Sequence, residues 1–146
     1  GQEVTELLDL YKLAEESGIT VDCFDLKSRE ALSLMDPDGD CYIAIDPFKL
    51  ESTRDERLKL AHEMGHCETG SFYNRWASCD VWQRHENRAN KWAIERLIPK
   101  AELDEAVADG YTDLYALADH FDVTVDFMRM AVCWYTHGNL AVDLYF

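Results

Sequence analysis

The stretch LKLAHEMGHCETG, Leu58 to Gly70, constrains the chain more than any other part of it. Its two histidines, His62 and His66, are four residues apart, which on an α-helix leaves them about 40° from a common line down one face. A helix here points both imidazoles at one ion, at the roughly 2.0–2.1 Å that a zinc–nitrogen bond needs. Glu63 then sits about 100° round from His62, near the ion without ligating it, where a carboxylate can take a proton from water. The plain alternative is a polar helix carrying two incidental histidines, and a five-residue motif does not decide between the two. The decision has to come from another part of the fold, because a catalytic zinc needs a third protein ligand and an open fourth position.

The segment RHENRANKWAIERLIP supplies a candidate. Glu86 falls on the next predicted helix, and two-His-one-Glu zinc peptidases take their third ligand from such a following helix. Asn90, four residues later, shares its face. Its side-chain oxygen can accept the remaining ring N–H of a metal-bound His62, the contact that fixes an imidazole tautomer. The plain alternative for Glu86 is a solvated carboxylate near a helix start, favoured by the helix dipole. His85 lies about 100° round from Glu86 and is expected to be exposed or to touch substrate. Cys67 lies about 140° from His62, off the metal face. A structural site of His62, His66, Cys67 and Cys79 would leave both Glu63 and Glu86 without roles. Tyr73, in the loop GSFYNRWAS, is a candidate donor to a developing oxyanion, against the alternative of a ring packed for its area alone.

KLAHEMGH followed by ENRANKWAIERLIP resembles the ImmA/IrrE family of metallopeptidases, found in bacterial mobile elements and stress responses. Gly65, Glu86, Ala89, Asn90, Ala93, Leu97 and Pro99 match the family's two boxes; Met64, Trp92, Arg96 and Ile98 replace other apolar residues there. Arg88 stands where the family often has an acidic residue. LADHFDVT, Leu117 to Thr124, is similar to the family's ending. The resemblance implies a zincin-like fold, zinc held by His62, His66 and Glu86, Glu63 as acid/base, and cleavage of a transcriptional repressor in the cytoplasm.

Composition narrows the alternatives. The chain has 146 residues with 29 acidic against 14 basic side chains, a net charge of -15. That argues against non-specific binding to nucleic acid or to an anionic membrane surface, and no apolar run approaches the roughly 20 residues of a membrane span. The polar N-terminus lacks a signal-peptide pattern. Five cysteines, with no Cys-x-x-Cys pair, are expected to be free buried thiols. A single α+β domain over residues 1–146 is expected: a small antiparallel sheet, an active-site helix and a helical C-terminal part. Gln2 to Ser17 has helical apolar spacing, Val21 to Leu26 strand character, and ALSLM-DPDGD-CYIAID the pattern of a hairpin. Thr53 with Glu56 fits a capping box opening a helix from Arg54 to Cys67. Further helices are expected to stop before Pro99 and at Gly110, and two more to meet at Asp122-Val123. LAVDLYF alternates loosely and is expected to form a strand or tail. The four tryptophans are core candidates, and His120 and His137 are expected to be structural.

LADHFDVTVDFMRMAV also resembles a helix-turn-helix, but from Thr112 to Val132 Asp113, Asp119, Asp122 and Asp126 stand against Arg129 alone, the reverse of a phosphate-facing surface. The expected function is therefore a zinc endopeptidase acting on a protein partner, a basic DNA-binding regulator. The alternative is an antirepressor that binds that regulator through the same cleft without cutting it. The edge of the strand Cys41 to Asp46 is the expected rest for an extended substrate.

Overall fold

The computed structural model describes residues 5–72 and 78–140, so Tyr73, Trp76 and the terminal segment from Ala141 on lie outside the described residues. The chain falls into two compact units, one of Thr5–Ala93 and one from Ile94 onward.

In the first unit, α1 (Leu7–Glu16) precedes β1 (Thr20–Cys23), β2 (Ala31–Met35) and β3 (Cys41–Ile45); α2 (Thr53–Thr69) and α3 (Cys79–Leu97, as far as Ala93) follow. Leu10 and Ala14 are the buried positions of α1. The helix begins only at Leu7, with the Glu6 N–H donating back to Asp9 Oδ2 at 3.1 Å. The expected hairpin is present. β2 and β3 pair antiparallel, and Asp36 closes the turn by accepting from the N–H groups of Asp38 (3.0 Å) and Asp40 (2.9 Å). Gly39 supplies the positive φ, +89°, that the turn requires.

The arrangement is the expected α+β, yet the sheet is mixed, because β1 joins β3 in parallel. The order β1-β3-β2 puts β3 in the middle. This corrects the expectation that the strand from Cys41 offers a free edge: both its sides are paired, and β1 and β2 are the two edges of the sheet among the described residues. A hairpin pattern shows which strands are neighbours but not where a third strand docks. Asp46, just past β3, is buried and ties the surrounding loops together. It accepts from Leu26 N and Phe48 N, each at 3.1 Å, and pairs with Lys49 Nζ at 2.8 Å.

Side chains on one sheet face, Ile43 and Ile45, are buried along with Leu60, Ala61 and Met64 of α2, which packs against β2 and β3. The cap of α2 is one residue earlier than expected. Ser52 Oγ accepts from Asp55 N at 3.1 Å, so Ser52 rather than Thr53 stands at the N-cap. The helix buries Arg57, Glu63 and His66 beside its apolar residues, which is why it lacks a clean hydrophobic stripe.

The cysteine expectation is overturned. Cys41 of β3 and Cys67 of α2 form a disulfide with Cα atoms 5.9 Å apart. Of the free cysteines, Cys23 and Cys79 are exposed and Cys133 is half-buried. The pair is 26 residues apart, so only tertiary packing of helix on sheet makes them partners.

The second unit contains the end of α3, α4 (Lys100–Ala108), α5 (Leu114–Phe121) and α6 (Val125–His137). Asp113 and Thr124 cap α5 and α6, and Asp122 takes the left-handed conformation between them. The core includes Ile98, Leu103, Phe121, Val123, Met128 and Leu140. Tyr135 donates to the Ile98 carbonyl at 2.8 Å, and Trp134 Nε1 to Glu95 at 3.2 Å. None of the described tryptophans is fully buried. Trp82 is exposed, and Trp92 and Trp134 are half-buried, because indoles are too large to lose all their surface in so small a unit. His120 is exposed beside the Tyr111 ring, and His137 is exposed in the last turn of α6. No helix among the described residues is long and apolar enough to cross a membrane.

Candidate metal centre

α2 carries His62, Glu63 and His66 toward α3, and the approach of the two helices is set by Gly65. A Cβ built on Gly65 would stand 2.5 Å from the Ala89 carbonyl oxygen. Only a residue without a side chain allows α3 this close, and Glu86 sits one turn before that contact. α3 begins at Cys79, earlier than expected, so Glu86 is well inside the helix. The reading of Glu86 as a solvated helix-start carboxylate does not hold, since its side chain is only 14% exposed and meets both histidines.

Glu86 Oε2 lies 2.7 Å from His62 Nε2 and 3.4 Å from His66 Nε2. The two imidazoles stand nearly perpendicular, at 86°, with ring centres 4.9 Å apart. Ligand atoms from all three residues fall within 4.8 Å of one another, and they form the group among the described residues able to hold a metal ion. The opposite ring nitrogens are both engaged. His62 Nδ1–H donates to Asn90 Oδ1 at 2.8 Å, and His66 Nδ1–H donates to the Ser71 carbonyl at 2.6 Å. Each acceptor is an oxygen, so each Nδ1 carries a proton, and Nε2 is the ring atom that faces Glu86 and would give its lone pair to a metal ion. Two imidazoles and one carboxylate, with both rings oriented from behind, are the donor set and outer support that a catalytic zinc uses.

The Ser71 contact was absent from the sequence reading. Gly70 ends α2 in the left-handed conformation, φ 64°, and the chain doubles back so that Ser71 O reaches His66. Thr69 Oγ1 donates to the Gly65 carbonyl at 2.7 Å and lies 2.6 Å from Ser71 Oγ, which holds the turn. A glycine after a helix signals such a turn, but nothing in the sequence says which imidazole the carbonyl meets. Burial pulls the His66 imidazole down, yet its bonds to Glu86 and Ser71 outweigh this and raise its pKa above the ordinary histidine value.

Glu63 is 8% exposed and outside the ligand group. Its Oε1 accepts from Ser33 Oγ of β2 at 2.8 Å, another contact that the sequence reading missed. Glu63, both histidines and Glu86 line a cleft of about 250 Å³, whose other walls include Arg29, Leu32, Ser33 and Leu34. His85 is half-buried and outside the ligand group, and burial holds its imidazole below the usual range. The four-residue structural zinc site is ruled out, since Cys67 is in the disulfide. Tyr73 lies outside the described residues, so no oxyanion donor is assigned from it.

Compared with protein-family models, the chain matches the peptidase M78 family, IrrE N-terminal-like domain, over residues 14–132. The chain belongs to this family. M78 peptidases are metallopeptidases, and the matched span takes in the metal-binding group and its supports. No curated protein matches the chain.

Proposed function

We propose that this M78-family chain is a zinc-dependent endopeptidase that cuts a regulatory protein, a transcriptional repressor with a basic surface. The observation that carries the proposal is the convergence of His62, His66 and Glu86, with Glu63 buried beside them at the cleft wall. Zinc held by those three residues would act as a Lewis acid on the scissile carbonyl and lower the pKa of water. The protein's own groups handle the protons. Glu63 Oε2, the oxygen not engaged by Ser33, takes a proton from the attacking water as the new C–O bond forms. It returns that proton to the amine nitrogen as the C–N bond breaks. Asn90 and the Ser71 carbonyl hold both ligand rings in one orientation throughout.

The β2 edge is the place for an extended substrate, replacing the expected β3 edge. It lies on the cleft wall, and an added strand there would take main-chain hydrogen bonds from the open side of β2. The repressor assignment rests on family membership, and the basic surface on the net charge of -15, which accelerates encounter with a cation-rich partner. The test pairs metal analysis with hydrolysis of fluorescein-labelled casein and of purified candidate repressors. About one zinc per chain, lost in Glu86→Ala, with hydrolysis abolished in Glu63→Gln while zinc is kept, is the expected result. Normal cutting by Glu63→Gln would overturn the assignment. Binding of a repressor without cleavage by the zinc-loaded protein would point instead to an antirepressor.

A further inference from the structure

Ser33 occupies a position that the metal site does not explain. In the β2–β3 register Ser33 stands opposite Ile43, Ala31 opposite Ile45, and Met35 opposite Cys41, whose sulfur is bonded to α2. Alternation along a strand therefore puts the Ser33 side chain on the face that α2 covers, and its hydroxyl donates to Glu63 Oε1 at 2.8 Å. The backbone of the same residue looks the other way. Asp46 N donates to Glu30 O and Asp36 N to Asp40 O, so the antiparallel ladder bonds through residues 30, 32, 34 and 36. Ala31, Ser33 and Met35 are left with their N–H and C=O directed to the open edge.

We propose that Ser33 is the positioning residue of the hydrolytic centre, joining the proton-transfer group to the strand that receives the substrate. This rests on the reading of Glu63 as the acid/base. A carboxylate as buried as Glu63 is costly unless it is hydrogen-bonded, and a donor on Oε1 leaves Oε2 as the atom that accepts and returns the proton. The Ser33 N–H and C=O would hold the main chain of an extended substrate on the other side of the same residue. The register of the bound segment and the aim of the carboxylate are then set by one point on β2. A serine that merely satisfies a neighbouring carboxylate would also make the 2.8 Å contact, but it would have no part in turnover.

Two measurements decide. In metal-free protein labelled with ¹³C, the Glu63 side-chain carboxyl resonance should move in Ser33→Ala and stay in place in Ser33→Thr, which keeps the hydroxyl. With zinc-loaded protein and fluorescein-labelled casein, Ser33→Ala should lower kcat about tenfold or more, the scale of one hydrogen bond to a charged group. KM and the zinc content should stay unchanged, and Ser33→Thr should restore kcat. An unmoved resonance with unchanged kcat would overturn the proposal. So would a Ser33→Thr protein as slow as Ser33→Ala, since the loss would then belong to strand packing. Hydrolysis that survives in Glu63→Gln would remove the acid/base reading itself, a different failure, and the carboxyl resonance would still report whether Ser33 holds Glu63.

Discussion

Adding one methyl group at Gly65 is expected to weaken metal binding at the proposed site while leaving the protein folded. The new Cβ would lie 2.5 Å from the Ala89 oxygen, 2.9 Å from its Cα and 3.0 Å from its carbonyl carbon, where ordinary contact begins at 3.4 Å. All three atoms are main chain, so no side chain can rotate aside and α3 has to retreat by about 0.9 Å to reach that ordinary contact distance. Glu86 and Asn90 ride on α3. Metal–ligand distances tolerate only about ±0.2 Å, and the 2.8 Å His62–Asn90 contact would stretch beyond hydrogen-bonding range. Losing the support of a ligand histidine alone costs roughly 10–100-fold in metal affinity, so Gly65→Ala should weaken zinc binding by at least about tenfold. Stability changes less. Overpacking costs about 1–3 kcal/mol, and the gain of alanine over glycine in a helix offsets about 1 kcal/mol of it. Competition with a chelating zinc indicator measures the affinity, and circular dichroism with urea melts measures the fold. Ala89→Gly added to Gly65→Ala should give no relief, because the clash is with backbone. A folded Gly65→Ala protein that binds zinc with wild-type affinity would refute the claim that this contact places Glu86.

Asn90→Ala should reduce zinc affinity roughly 10–100-fold with little change in melting temperature, read by the same competition assay, because it frees the His62 ring without touching a ligand atom. Cys41→Ser, or a reductant, should lower the unfolding free energy by roughly 3.5 kcal/mol, the loop-closure value for the 26-residue separation of Cys41 and Cys67, as measured by urea denaturation. The Lys49 ammonium, reinforced by the Phe48 and Leu26 N–H groups against the effect of burial, holds the Asp46 carboxyl below its usual range. Its contribution to stability is therefore complete above about pH 4 and lost as pH falls through the lowered pKa; Asp46→Asn should lower the melting temperature at pH 7 and flatten its acid dependence. If the charge of -15 steers a basic partner, raising salt from about 0.05 to 0.5 M should slow association with an intact repressor several-fold and leave cleavage of a short neutral peptide little changed. Equal salt sensitivity for both would remove the electrostatic argument.

The sequence by itself determined what is local. The His62–His66 spacing, Asn90 four residues past Glu86, the Asp36–Asp40 turn and the glycine after α2 are consequences of helix pitch and turn chemistry, which act over a few residues. They were enough to place the candidate ligands on two helices and to expect the His62–Asn90 contact. Even at this range the cap of α2 was misplaced by one residue, since Ser52 and Thr53 are both good caps and only backbone geometry chooses between them. Tertiary structure decided everything that depends on residues distant in the chain. β1 docks in parallel on β3 and takes its second side, so β3 is no edge; Cys41 meets Cys67; Ser33 reaches Glu63 across 30 positions; and Ser71 turns its carbonyl to His66. A serine hydroxyl, a backbone carbonyl and a lone cysteine carry no signal of their partners, because what selects the partner is the close packing of helix on sheet and of Gly65 on Ala89.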